Sequence, residues 1–105
     1  MNVIKNVDIA VNANVYNDGK VTSRTFWTKE GMKKTIGILL PGRYSFSTDG
    51  EEKVEITSGF IEVKIHPSCS WVRYGEGEFY VLPASTSFEL QCKEIVEYVC
   101  SYSNN

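Results

Sequence analysis

Residues 42–59, GRYSFSTDGEEKVEITSG, decide the fold of this chain because they join two alternating segments by strong turn signals. The alternation of side chains predicts strands at residues 44–48 and 53–57. The Asp-Gly pair at 49–50 is the strongest short hairpin signal in a sequence. We therefore expect the two strands to form a hairpin, closed by a turn at 58–59, with the other strands folded around it.

Short segments of the same kind continue through the chain and predict further strands. They cover residues 20–26, 35–40, 60–65, 71–74, 79–82, 87–92 and 95–102. Gly, Pro and Asp separate them, and no window has the 3.6-residue period of a helix. This spacing predicts an all-β sandwich or barrel. We expect a single domain at residues 14–105, preceded by an N-terminal extension or edge strand at 1–13.

The overall composition argues against several classes of function. Eleven Lys and Arg against 13 Asp and Glu give a net charge of −2, which offers no basic field to nucleic-acid phosphates. Residues 1–18 lack the apolar core of a signal peptide, and no run approaches the ~20 apolar residues of a membrane span. We therefore expect a cytoplasmic protein whose partners include neither nucleic acid nor a membrane.

The reactive side chains are few and scattered. Cys69, Cys92 and Cys100 are odd in number and show no CxxC spacing, which favours reduced thiols. The single histidine, His66, stands beside a proline at a strand end, where a solvated loop position is the simplest interpretation. The chain has no GxSxG motif and no Ser, His and Asp set typical of nucleophilic catalysis.

Two motif spacings resemble those of cupins, which are small double-sheet β-barrels. Glu52 is followed by six residues and then Gly59, and Gly77 is followed by five residues and then Pro83. These match the second half of the first cupin motif and the first half of the second, in the right order. The resemblance implies a cupin-type jelly-roll barrel, in agreement with the strand pattern.

Metal-dependent cupins place three histidines and one glutamate in these motifs. Here the histidine positions hold Phe46, Thr48 and Phe88, and only the glutamate is kept, as Glu52. A single carboxylate cannot hold a transition metal alone. The resemblance therefore implies a cupin that works without a metal or other cofactor.

A more specific resemblance covers residues 14–102. It rests on YSFSTDGEEKVEITSG at 44–59, Trp71 with Tyr74, GEFYVLPASTSFEL at 77–90 and YVCSY at 98–102. These motifs resemble the pyrimidine/purine nucleoside phosphorylase family of short cupins, which fills the former ligand positions in the same way. The resemblance implies a homodimeric enzyme whose substrates are a nucleoside and inorganic phosphate. Its products would be a free base and pentose 1-phosphate.

Phosphorolysis of an N-glycosidic bond needs no protein nucleophile, because phosphate itself attacks while positive charge develops at the anomeric carbon. The protein must position the reactants and stabilise charge. We assign Glu52 and Thr48 as catalytic candidates: Glu52 for the ribose hydroxyls or the cationic sugar, and Thr48, with Ser47, as donors to phosphate or ribose. A surface carboxylate, and hydroxyls that bond their own turn, are the alternatives.

Aromatic rings are the candidates for holding the base, since every nucleobase offers a π-face. The candidates are Tyr44, Phe46, Phe88, Tyr98 and Tyr102. Ordinary core packing is the alternative for the phenylalanines, and core or dimer contact for Tyr98 and Tyr102. Alternation places Gln91 on the face opposite Phe88, outside such a site.

Phosphate binding requires a cation or a nest of backbone amides. Lys20 matches the family's opening motif and is the first candidate, with Arg24 second, although a solvated lysine in a turn is the simpler interpretation. Two other functions stay open at this point. One is a cupin that binds a small ligand without catalysis, and the other is a metal-dependent cupin oxygenase or isomerase.

Overall fold

The computed structural model describes residues 2–103, which form eleven β-strands and a 3-10 turn at Asn17–Gly19. The strands are β1 (Asp8–Ile9), β2 (Asn14–Tyr16), β3 (Val21–Trp27), β4 (Lys33–Leu39), β5 (Gly42–Ser47), β6 (Glu52–Ser58), β7 (Phe60–Ile65), β8 (Val72–Gly75), β9 (Phe79–Leu82), β10 (Ser87–Cys92) and β11 (Val96–Tyr102). We find no helix within residues 2–103 that has the length and apolar character required to span a membrane. The all-β prediction is confirmed.

The strands form two antiparallel sheets. The first has seven strands in the order β1-β3-β4-β11-β6-β9, with β2 pairing beside β1 on the edge of β3, and the second has four in the order β5-β10-β7-β8. Alternate residues of both sheets point into a shared interior, which contains most of the buried hydrophobic side chains. The result is a single double-sheet domain of the jelly-roll type.

The hairpin predicted at residues 44–57 is wrong, although both of its strands exist. β5 pairs with β10 in the four-stranded sheet, whereas β6 pairs with β11 and β9 in the other. Asp49 and Gly50 do not adopt the positive φ that a two-residue hairpin turn needs. Instead, the Thr48 amide donates to the Thr86 carbonyl at 2.9 Å, and after this long-range contact the chain crosses from the four-stranded sheet to the seven-stranded sheet.

The remaining predicted strands appear within two residues of their expected ends. Tight turns also lie at glycines between the strands, as expected. Gly31 and Gly77 adopt positive φ values of 86° and 85°. The N-terminal segment contributes two short edge strands, β1 and β2, along β3. His66 lies in an exposed turn after β7, and the three cysteines are free thiols.

Candidate active site

A cavity of about 220 Å³ lies between the two sheets. Its deep part is formed by buried aliphatic side chains from both sheets, namely Val21, Leu39, Val54, Ile56, Ile61, Leu82 and Leu90. Its remaining lining is polar or aromatic and reaches the surface, where Tyr16 and Ser47 are exposed. An apolar interior with a few polar groups at one side is typical of small-molecule sites.

Six of the ten residues predicted for the site line this cavity. They are Phe46, Ser47, Glu52, Phe88, Tyr98 and Tyr102. They come from strands β5, β6, β10 and β11, so both sheets contribute. The fold therefore brings together the single motif carboxylate and most of the predicted rings.

Thr48 and Tyr44 are buried but do not line the cavity, because their hydroxyls bind backbone elsewhere. The Thr48 Oγ1 donates to the Pro83 carbonyl at 2.6 Å and accepts from the Thr86 amide at 3.0 Å. The Tyr44 hydroxyl donates to the Leu40 carbonyl at 2.6 Å. Both side chains thus fasten loops next to the strands that carry the site.

The two predicted phosphate ligands also lie outside the cavity lining. Lys20 is exposed in the short connection before β3. Arg24 is exposed on β3 and its Nε donates to the Val11 carbonyl at 3.3 Å. Gln91, expected on the outside, donates to Glu62 at 3.0 Å and does not line the cavity.

Glu52 is the one carboxylate among the lining residues. It starts β6, where alternation directs its side chain inward with those of Val54 and Ile56. Burial raises its pKa above the ordinary value, and the nearby charge of Asp49 adds to the rise. A hydrogen bond from Cys100 opposes that rise, so the pKa of Glu52 reflects both its partly dry surroundings and one buried donor.

The bond between Glu52 and Cys100 crosses from β6 to β11. The Cys100 Sγ lies 3.3 Å from Oε1 of Glu52 and donates its proton to the carboxylate. Burial and the neighbouring charge of Glu52 raise the pKa of the Cys100 thiol to about 12, which keeps it in the S–H form that can donate. The sequence alone indicated only that Cys100 is a reduced thiol and assigned it no role in the site.

Tyrosine hydroxyls supply further polar groups. The Tyr102 hydroxyl lies 3.1 Å from Oγ1 of Thr35 on β4. The Tyr98 ring crosses β4 at Gly37, since a Cβ built there would meet the Tyr98 hydroxyl at 2.8 Å. Burial raises the pKa of Tyr98 to about 12, so this hydroxyl keeps its proton at neutral pH.

Aromatic rings form the side of the cavity nearest the four-stranded sheet. The Phe46 and Phe88 rings, paired across β5 and β10, have centroids 6.0 Å apart and planes tilted by 34°. Tyr16 meets Phe46 edge-on at 5.9 Å. No sequence pattern predicted Tyr16 at this site, because the pairing of β2 with β3 is what brings the N-terminal segment to the cavity.

Within residues 2–103 no three side chains of His, Cys, Asp or Glu come close enough together to hold a metal ion. The donors near Glu52 are one thiol with a raised pKa and phenolic hydroxyls, all of which favour the protonated state. Such a set suits hydrogen bonding to an uncharged polar ligand better than binding of a transition metal.

Comparison with known proteins identifies the family to which this chain belongs. A family profile described as pyrimidine/purine nucleoside phosphorylase matches residues 11–102. The chain belongs to the pyrimidine/purine nucleoside phosphorylase family. A family member from Syntrophotalea carbinolica is 44% identical over 102 residues, which cover 97% of this chain and 98% of that protein. Another, from Clostridioides difficile, is 45% identical over 102 residues and 97% of each chain.

Solved structures are similar in fold to this member of the pyrimidine/purine nucleoside phosphorylase family. A crystal structure of a protein of unknown function from Acinetobacter sp. ADP1 matches with a TM-score of 0.92 and 32% identity, over 94% of this chain and 96% of that one. A cupin superfamily protein from Desulfitobacterium hafniense matches with a TM-score of 0.66 and 10% identity, over 88% and 82%. The second likeness concerns the fold alone, and the predicted cupin fold is confirmed.

Proposed function

We propose that this protein cleaves purine and pyrimidine nucleosides with inorganic phosphate and releases a free base and pentose 1-phosphate. The observation that carries the proposal is a single half-buried carboxylate, Glu52, at the polar side of a ring-walled cavity. The names of the relatives give the substrate class. In our proposal the reaction requires no metal ion.

The base is held by the rings and the sugar by the polar side of the cavity. Phe46 and Phe88 offer a tilted pair of ring faces, and ring stacking accepts purines and pyrimidines alike. A cavity of about 220 Å³ is smaller than the ~300 Å³ typical of the lower range of ligand sites. A nucleoside therefore extends from the cavity toward the surface near Tyr16 and Ser47.

Glu52 acts on the sugar. As the C1′–N bond breaks, its electron pair passes to the base, and the ribose acquires positive charge before a phosphate oxygen bonds to C1′. A carboxylate fixed beside the ribose stabilises that charge without having to reorganise. The Cys100 thiol holds the carboxylate in place through the bond to Oε1.

Thr48 and Tyr44 serve the site indirectly in this proposal. Their hydroxyls bind the Pro83 and Leu40 carbonyls rather than facing the cavity. They fix the loops that lead into β10 and β5, the strands carrying Phe88 and Phe46.

The decisive experiment follows base release from inosine and from uridine, with and without inorganic phosphate. We expect base release that depends on phosphate, together with formation of ribose 1-phosphate. Release independent of phosphate would indicate a hydrolase. Binding of nucleoside without any release would favour a cupin that only binds its ligand. Activity lost on chelation and restored by a stoichiometric metal would favour a metal-dependent cupin enzyme.

We further propose that the enzyme is a cytoplasmic homodimer. The outer face of the seven-stranded sheet exposes large apolar side chains, among them Ile36, Phe79 and Val81, which are 43%, 54% and 44% exposed. A second copy of the chain would cover them. Three free cysteines, one of them exposed, suit a reducing compartment. The molar mass in solution, measured by light scattering, tests the dimer: we expect twice 11.9 kDa, and a monomer at micromolar concentration would contradict it.

A further inference from the structure

One lysine stands beside the polar side of the cavity, although sequence reasoning did not select it. Lys33 is the first residue of β4, two residues before Thr35, which lines the cavity on the inward face of that strand. Its Nζ lies 5.2 Å from the centroid of the Tyr102 ring. Alternation and this contact direct the Lys33 side chain to the same face as the site.

The strand register brings Lys33 into line with Glu52. Tyr102 is paired with Glu52 on β6, and the preceding Ser101 is paired with Lys34 on β4. Lys33 therefore follows in the same transverse row, with Tyr102 between the ammonium group and the carboxylate. The positive charge of Lys33 also acts on Glu52, where it lowers the pKa against the larger effect of burial.

The cavity itself provides no cation for an anionic substrate. Among the described residues that line it, none is Lys, Arg or His, and one, Glu52, is acidic. A phosphate dianion entering this space would meet a carboxylate and uncharged hydroxyls, which is unfavourable without a compensating positive charge. A cation for phosphate would therefore come from the rim of the cavity.

The two cations expected from the sequence lie less favourably than Lys33. Lys20 precedes Val21, whose partner Leu39 ends β4, whereas Lys33 begins that strand. The six-residue separation along β4 corresponds to roughly 20 Å. Arg24 is exposed and is bonded to the Val11 carbonyl, away from the lining.

We propose that Lys33 is the cation that binds inorganic phosphate, at a subsite beside the Tyr102 ring and across from Glu52. The inference rests on the proposed phosphorolysis. Lys33 and Glu52 then act on different reactants. The ammonium group of Lys33 binds the attacking phosphate, and the carboxylate of Glu52 stabilises the sugar as it becomes cationic. A phosphate oxygen of HPO4²⁻ bonds to C1′ as the C1′–N bond breaks, and the electron pair goes to the base. The phosphate proton then passes to the base, which leaves as the neutral free base, and Lys33 keeps its own proton throughout.

The test compares Lys33→Met with Lys34→Met, which removes the same charge from the adjacent position of the same strand. Steady-state kinetics with inosine give KM for phosphate and KM for nucleoside separately. We expect Lys33→Met to raise KM for phosphate at least about tenfold while KM for inosine changes less than about twofold. Lys33→Arg, which keeps the charge, should retain most of the phosphate affinity, and Lys34→Met should resemble the wild type.

Calorimetric titration with inorganic phosphate alone separates this inference from the proposed function. If the wild type binds phosphate and Lys33→Met weakens that binding about tenfold, the subsite stands even in a protein that releases no base. If the wild type performs phosphorolysis but Lys33→Met leaves KM for phosphate unchanged, the function stands and the assignment of Lys33 is wrong. An equal loss in Lys34→Met would show a diffuse charge effect and would also overturn it.

Discussion

The Cys100 thiol and the Glu52 carboxylate meet across two neighbouring strands, with Sγ 3.3 Å from Oε1. Cys100 is 3% exposed, so the bond is shielded from water on the side of the thiol. The protein thereby fixes the one carboxylate of the cavity with a donor whose own raised pKa prevents its ionisation. This contact gives Cys100 a positioning role in the proposed reaction, and it makes the protonation state of Glu52 dependent on a neighbouring strand.

Replacing Cys100 should change how activity depends on pH. The thiol lowers the pKa of Glu52, so Cys100→Ala should raise that pKa further and move the acidic limb of the kcat profile to higher pH. We expect kcat at neutral pH to fall about 2- to 10-fold, as for loss of one hydrogen bond. Cys100→Ser, which keeps a donor, should restore the limb. Cys92→Ala, at the other buried thiol, should leave it in place, and a shift there would argue against a specific contact.

Replacing Glu52 should abolish most of the turnover without unfolding the protein. Glu52→Gln keeps the side-chain shape and an oxygen that accepts from Cys100, but it loses the negative charge that supports the cationic sugar. We expect kcat to fall by at least about 100-fold. Glu55→Gln, on the same strand but outside the cavity lining, serves as the matched control and should stay near wild type. Wild-type turnover in Glu52→Gln would remove this residue from the reaction.

The same variant should affect stability in a pH-dependent way. Because the folded-state pKa of Glu52 is raised above its ordinary value of 4.5, the favourable contribution of this group is fully present below pH 4.5. That contribution is lost as the pH rises through the raised pKa, since the folded protein must then carry a partly buried charge. The unfolding free energy of Glu52→Gln, measured relative to that of the wild type, should therefore increase from acid to neutral pH. Urea titrations at several pH values measure this difference, and a constant difference would contradict the raised pKa.

Gly37 should tolerate no side chain. A Cβ there would meet the Tyr98 hydroxyl and the Ser23 Cβ at 2.8 Å each and would approach the Thr22 carbonyl oxygen still more closely. We expect Gly37→Ala to lower the unfolding free energy by about 1–3 kcal/mol and to displace the Tyr98 ring. Gly75→Ala is the control, because its Cβ would have no neighbour closer than 3.7 Å. Thermal unfolding gives the comparison, and equal melting temperatures for the two variants would refute this account of Gly37.

Loss of the Thr48 hydroxyl should weaken the fold more than the chemistry. Thr48→Ala would leave the Pro83 carbonyl and the Thr86 amide without the hydroxyl that both now bond, at a cost of about 1–3 kcal/mol. We expect a lower melting temperature with little change in KM for nucleoside. Thr48→Ser should recover the loss, and Thr57→Ala, at an exposed hydroxyl, should show none. A large fall in kcat without loss of stability would instead place Thr48 in the reaction.

Side-chain alternation and motif positions in the sequence predicted different features of the cavity. Alternation found the strands because a strand exposes its faces in a strict period of two. It could not find their partners, and Asp49 and Gly50 predicted a hairpin that a contact between Thr48 and Thr86 overrides. Glu52, Phe46 and Phe88 were selected from their motif positions, and all three line the cavity. The motif positions succeed because members of one family share the arrangement of the strands that carry them.

The sequence by itself determined an all-β chain, its strand boundaries, its family, and the carboxylate and most of the rings that line the cavity. Only the tertiary structure decided that Tyr16 from the N-terminal segment joins the rings and that Cys100 holds Glu52. It also decided that Lys33, rather than Lys20, lies beside the polar side of the cavity. The physical reason is that these contacts depend on which strands pair and in what register, and that choice belongs to the whole sheet rather than to any local segment.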